Sequence, residues 1–79
     1  MIEADFNADH TLDCRGLNCP QPVLKLKKKM MLVAPGQTVL VICTDELSVI
    51  DIPHFAATTG IEVKASSANA GEFFFLIEK

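Results

Sequence analysis

Cys19 lies in the stretch Asp13-Cys14-Arg15-Gly16-Leu17-Asn18-Cys19-Pro20-Gln21-Pro22, which sets a thiol directly before two alternating prolines. Proline lacks a backbone N–H and has its φ fixed near the helical value, so Pro20 and Pro22 predict the first turn of a helix. With Cys19 as N-cap, Pro20 falls at N1 and Pro22 at N3, slots whose N–H groups have no intrahelical partner. A residue before proline is pushed out of the α region, which suits Cys19 as a cap and predicts some strain at Gln21. The helix mouth carries partial positive charge, so a thiolate there is expected to have a lowered pKa. Arg15, four residues upstream, is either a second stabiliser of that thiolate or a solvated loop charge. The prolines limit the effect, because they leave mainly the Gln21 and Val23 amides to reach the sulfur. The stretch therefore predicts an exposed nucleophilic sulfur on a rigid mount, with presentation mattering as much as acidity.

The other groups that could do chemistry are weaker candidates. Three cysteines is an odd number, and in a reducing compartment no disulfide framework is expected. Cys14 and Cys19 are not spaced as a redox C-x-x-C pair, and a structural zinc site would need distant ligands. Cys14 reads as a strand-end core residue, with a second, resolving thiol as the alternative, and Cys43 reads as core. His10 and His54 could in principle serve Cys19 as a base in a Cys/His hydrolase. Neither is near it in sequence, no orienting third group is evident, and both read as surface histidines.

Charge is polarised along the chain. Lys25, Lys27, Lys28 and Lys29 supply four of the seven basic side chains, leaving three elsewhere against ten acidic ones. Such a cluster is ordinarily a solvated face that complements a helix C-terminus. Lys25, Lys28 and Lys29 are the candidates for steering a protein partner. Direct nucleic-acid binding is disfavoured, since the chain has no Tyr or Trp for stacking and a pI near 5.1.

These residues need a scaffold, and 79 residues suffice for one domain spanning 1–79, with Met1 to Ala8 as a loose lead. The hydrophobic content of 49% predicts a folded globule. No run approaches the roughly 18 apolar residues of a membrane span. Met1 to Asp9 are acidic and lack the pattern of a signal peptide, so a cytoplasmic protein is expected.

His10 to Cys14 alternates as a short strand that Gly16 ends, and a helix runs from Pro20 to about Leu32. Val23, Leu26, Met30 and Val33, flanked by Leu24 and Met31, form its buried stripe. Gln37 to Cys43, nearly continuously apolar, suits a central strand with a partner on each edge. A second helix is expected with Asp51 or Ile52 near its cap, Pro53 in its first turn, and Gly60 just past its end. Ile52, Phe55, Ala56 and Thr59 make one face of it. Ile61 to Ala65 alternates as a third strand, Ser66 to Gly71 turns, and Glu72 to Glu78 is a fourth strand. This order predicts an α/β fold: a two-layer α/β sandwich, β-α-β-α-β-β, with a four-stranded mixed sheet and both helices on one face. Phe74 and Leu76 then point to the other face, either as an exposed docking patch or under a terminal segment.

The combination Asp13-x-x-Gly16-x-x-Cys19-Pro20-x-Pro22, then Pro35-Gly36, Thr44-Asp45, Asp51-Ile52-Pro53-x-Phe55 and Gly60, resembles the TusA/SirA/YedF family of small sulfur-carrier proteins. The resemblance runs from about Asp9 to the C-terminus. It implies a fold like the C-terminal domain of translation initiation factor three, with Cys19 carrying a persulfide and no metal or organic cofactor. It also implies a donor similar to a cysteine desulfurase or a rhodanese and an acceptor similar to DsrE or TusD proteins. Family members serve tRNA thiolation, cytoplasmic sulfur oxidation, molybdenum-cofactor sulfur supply or a selenium-linked branch, which the box does not distinguish. Two function classes follow: a sulfurtransferase acting between proteins, and a non-catalytic regulatory or adaptor module.

Overall fold

Six elements run in order: β1 (His10–Cys14), α1 (Gln21–Met30), β2 (Thr38–Cys43), α2 (Ser48–Thr59), β3 (Glu62–Asn69) and β4 (Glu72–Glu78). The structure is a computed structural model and describes residues 8–79. Of the expected loose lead, only Ala8 is among them. The sheet order is β1-β2-β4-β3, with β1 and β2 parallel, β2 and β4 antiparallel, and β3 and β4 an antiparallel hairpin. The expected mixed sheet is present.

β2 is central, and Val39 through Cys43 are all buried because both of its faces are covered. On one face Val39, Val41 and Cys43 join Leu12 and Cys14 of β1, Phe75 and Ile77 of β4, Leu26 and Met30 of α1, and Ile52 of α2. Both helices therefore pack on that face. On the other face Leu40, Ile42 and Phe74 form a smaller cluster against which Ala8 packs. Phe74 is 2% exposed, so of the two alternatives at this residue the open docking patch is excluded, and Leu76 beside it is half-buried.

α1 buries Pro22, Leu26 and Met30, spaced four apart as one helical stripe demands. Val33 is also buried and Val23 half-buried, whereas the expected flanks Leu24 and Met31 face outward. The helix stops at Met30, two residues short of expectation. Over the next turn the amides of Met31, Leu32 and Val33 bond three residues back rather than four, to Lys28, Lys29 and Met30. The Lys79 ammonium donates to the Met30 and Val33 carbonyls, both at 2.8 Å, placing a cation at the negative end of the helix.

The turn at Ser48 to Ile50, which the sequence offers as a lead-in to the second helix, is its first turn, so α2 begins three residues before the expected cap at Asp51 and Pro53 lies inside it. Asp45 sets this earlier start. Its Oδ1 accepts the Leu47 N–H at 3.1 Å, and its carbonyl accepts the Ser48 N–H and hydroxyl at 3.0 and 2.6 Å. Gly60, at φ 76°, closes the helix in the left-handed conformation that favours glycine, as expected.

The hairpin also differs from expectation, since β3 continues to Asn69 and only Ala70 and Gly71 turn, with φ 53° and 81°. Two residues at positive φ match the twist of a tight hairpin. Ser66 and Ser67 are paired with Phe75 and Phe74 rather than in a loop.

Candidate functional site at Cys19

Parallel pairing puts the carboxyl ends of β1 and β2 side by side, with Cys14 opposite Cys43. The loops that follow the two strands consequently meet at one end of the sheet, the position where open α/β folds place their sites. Gly16, at φ 81°, turns the first loop, and its N–H donates to Thr44 Oγ1 of the second at 2.8 Å. Three residues on, the Cys19 N–H donates to Asp45 Oδ2 at 2.6 Å. Cys19 is exposed, whereas Cys14 and Cys43 are fully buried, and all three are free.

The expected N-cap moves by one residue. Pro20, at φ −99° and ψ 19°, occupies it, and its carbonyl accepts the first helical bond, from the Leu24 N–H at 3.1 Å. The Cys19–Pro20 peptide bond is cis. Cys19 thus stands one position before the cap, held by Asp45. Gln21 and Pro22 take N1 and N2, and the Gln21 N–H donates to the Asn18 carbonyl at 2.8 Å rather than to the sulfur.

The expected acidity of Cys19 is also overturned. Its thiol donates to Asp51 Oδ2 on α2. That hydrogen bond chiefly, then desolvation and the negative charges of Asp51 and Asp45, raises the thiol above its ordinary pKa. Arg15 does not offset them, because its guanidinium grips Asp13 in a fork at 2.9 and 3.0 Å and reaches Glu72 at 3.6 Å. Hydrogen bonds from Arg15 lower Asp13 to about 2. Lys25 donates to the Asp13 carbonyl at 2.9 Å.

Cys19 opens into a concavity of about 290 Å³, which Asp51, His54, Phe55 and Thr58 of α2 line on one side. Their spacing puts all four on one helical face, although the sequence reading takes only Asp51 as cap and Phe55 as core. His54, set aside as a surface histidine, is exposed yet belongs to this wall. A second, larger concavity of about 580 Å³ lies along α1, lined by Leu17, Gln21 and Leu24 together with Lys25, Lys27 and Lys28. Lys29 is half-buried and does not line it. Cys14 belongs to the core beneath the helices. The hydrogen bond between them pushes the Cys43 thiol up and the Cys14 thiol down, and with both side chains fully buried neither sulfur is open to a partner as a second nucleophile. Among the described residues no group of three or more His, Cys, Asp or Glu side chains is placed to hold a metal ion.

The profile of the family described as Sulfurtransferase TusA matches residues 10–79. The chain belongs to the TusA sulfurtransferase family. It is 47% identical over 76 residues to the sulfur carrier protein TusA of Allochromatium vinosum, covering 96% of this chain and 97% of that one. Its fold is similar to the crystal structure of a SirA-like protein from Desulfitobacterium hafniense, with a TM-score of 0.75 and 26% identity over 87% of this chain and 95% of that one. The strand and helix order read from the sequence is thus that of the family, whose chemistry is sulfur transfer. No helix among the described residues is long and apolar enough to cross a membrane.

Proposed function

We propose that this chain, a sulfur carrier of the TusA family, bears sulfur as a persulfide on Cys19 and passes it between proteins as a sulfurtransferase of the cytoplasm. The observation that carries this reading is that Cys19 is the exposed one of three free cysteines, pinned by its amide at the carboxyl end of two parallel strands. In loading, the Cys19 sulfur attacks the outer sulfur of a donor persulfide. The new Sγ–S bond forms, the donor's S–S bond breaks, and the donor cysteine leaves as a thiol carrying the proton that Cys19 gives up. Unloading is the same exchange with an acceptor cysteine as nucleophile. The sulfane sulfur keeps its oxidation state throughout, and the thiols supply every atom the exchange needs.

The donor is of the cysteine desulfurase or rhodanese type and the acceptor of the DsrE or TusD type. Both dock over the carboxyl end of the sheet and the adjoining face of α1. Leu24, 53% exposed, offers an apolar anchor there, and Lys25 and Lys28 face an acidic partner rim. Incubation with a desulfurase and cysteine, or with a rhodanese and thiosulfate, should add the mass of one sulfur, removable by reductant, to the wild-type chain and none to Cys19→Ser. Equal uptake by both proteins overturns Cys19 as carrier, and uptake by neither leaves the adaptor module as the surviving reading.

A further inference from the structure

Two carboxylates hold Cys19, each by a different atom. Asp45 takes the backbone N–H, and Asp51 takes the thiol proton. The nearby cations are committed elsewhere, Arg15 to Asp13 and Glu72, Lys25 to the Asp13 carbonyl. The concavity into which the sulfur opens has His54 as its remaining titratable wall group, and its other walls are the largely apolar Pro20, Val23 and Phe55 with Thr58. A nucleophilic thiol that is to be kept as thiolate needs a cation or spare amides beside it. This one faces a carboxylate.

We propose that Asp51 is the unloading element of the carrier: it holds empty Cys19 as a neutral thiol and destabilises the anionic persulfide, so that sulfur leaves for the acceptor. The inference rests on Cys19 being the sulfur-bearing residue. A persulfide is a stronger acid than its parent thiol, so loading at neutral pH replaces a neutral S–H by a charged outer sulfur in the concavity that Asp51 lines. Like charges at close range disfavour the charged form, and in the empty state the hydrogen bond to Asp51 first, with desolvation and the charges of Asp51 and Asp45 behind it, raises the Cys19 thiol. In unloading, the anionic persulfide, disfavoured beside Asp51, takes a proton from solvent to become Cys19–S–SH, and the acceptor thiolate attacks its outer sulfur. An S–S bond to the acceptor forms, the Sγ–S bond breaks, and Sγ leaves with the electron pair. It then takes a proton from solvent and returns it to the hydrogen bond with Asp51. Nothing is oxidised or reduced overall.

The titratable groups facing Cys19 from the elements packed around it are Asp45 before α2 and Asp51 and His54 on α2, and of these Asp51 alone hydrogen-bonds the sulfur. A unit charge at about 4 Å in a water-exposed site is worth roughly fivefold in an equilibrium. Isotopically labelled wild type mixed with unlabelled Asp51→Asn and limiting sulfane sulfur should therefore leave about fivefold more sulfur on the variant. In the same proteins, the pH at which iodoacetamide alkylates Cys19 half-maximally should fall in Asp51→Asn and return in Asp51→Glu. Circular dichroism confirms that each variant is folded. Equal partition of sulfur, preference for wild type, or an alkylation profile that Asp51→Asn leaves unmoved overturns the proposal. Loss of the parent reading is seen separately, as sulfur uptake by Cys19→Ser, while the alkylation profile still reports on Asp51.

Discussion

The Cys19 amide and the Asp45 carboxylate, 26 residues apart in sequence, meet at 2.6 Å. That bond joins the thiol loop to the start of α2, since the other Asp45 oxygen accepts the Leu47 N–H. One side chain therefore both positions the sulfur and ties down Leu47, the residue that caps the helix carrying Asp51.

Asp45→Asn keeps the shape but replaces a charge-assisted hydrogen bond by a weaker neutral one, or presents a donor to a donor. The Cys19 amide signal in a nitrogen–proton correlation spectrum should shift and exchange with solvent faster, and sulfur loading should slow several-fold. The hydrogen bonds from Cys19 and Leu47 lower the Asp45 pKa. The linkage is thus present above the ordinary carboxylate range and is lost as pH falls through the lowered folded value. In acid the Cys19 amide should lose protection before the sheet does. An amide that behaves identically in both proteins would show that Asp45 does not hold the loop.

Arg15 offers a test of where the local positive charge goes. Its fork on Asp13 brings that carboxyl from 3.8 to about 2. Because the folded value is the lower one, this pair supports the fold above about pH 4 and ceases to do so as pH falls through about 2. Arg15→Gln should return the Asp13 titration, followed by carboxyl carbon NMR, toward its ordinary value. It should leave the alkylation profile of Cys19 within a few tenths of a pH unit of wild type, because the guanidinium faces Asp13 and Glu72. A clear upward move of that profile would restore Arg15 as a thiolate stabiliser.

What the sequence made legible was whatever is written in local pattern. Leu12 and Cys14 alternating with Thr11 and Asp13 mark β1, and the unbroken run from Val39 to Cys43 marks a strand buried on both faces. Ser66 to Asn69 carry no such pattern, and it is their pairing with Phe75, Phe74, Phe73 and Glu72 that makes them strand. Pro53 misplaced the start of α2, because a proline near a helix start is read as its first turn. Here the Asp45 and Ser48 hydrogen bonds fix that start further upstream. The thiol was legible from Cys19-Pro20-Gln21-Pro22. Its electrostatics were not, since Asp45 and Asp51 reach it across 26 and 32 residues through the pairing of β1 with β2. Helix-mouth reasoning counts local dipoles, and the carboxylates brought in by tertiary contact outweigh them.

The groove along α1 separates docking from chemistry. Leu24 is 53% exposed, so Leu24→Ser should change the melting temperature little, in contrast to any substitution at Leu26, which is fully buried. Lys28→Glu reverses a charge on the rim of the same groove. Neither residue touches Cys19, so both variants should take sulfur from a small-molecule persulfide at the wild-type rate. Transfer from a protein donor or to a protein acceptor should slow, on the order of tenfold for the double variant if the contact is worth about 1.4 kcal/mol. The wild-type protein reaction should also weaken as salt rises, because an exposed lysine rim acts mainly on the encounter. Stopped reactions followed by intact mass, with the two kinds of donor in parallel, give both rates. Equal slowing with the small and the protein donor would mean that the groove acts on the sulfur and not on the partner.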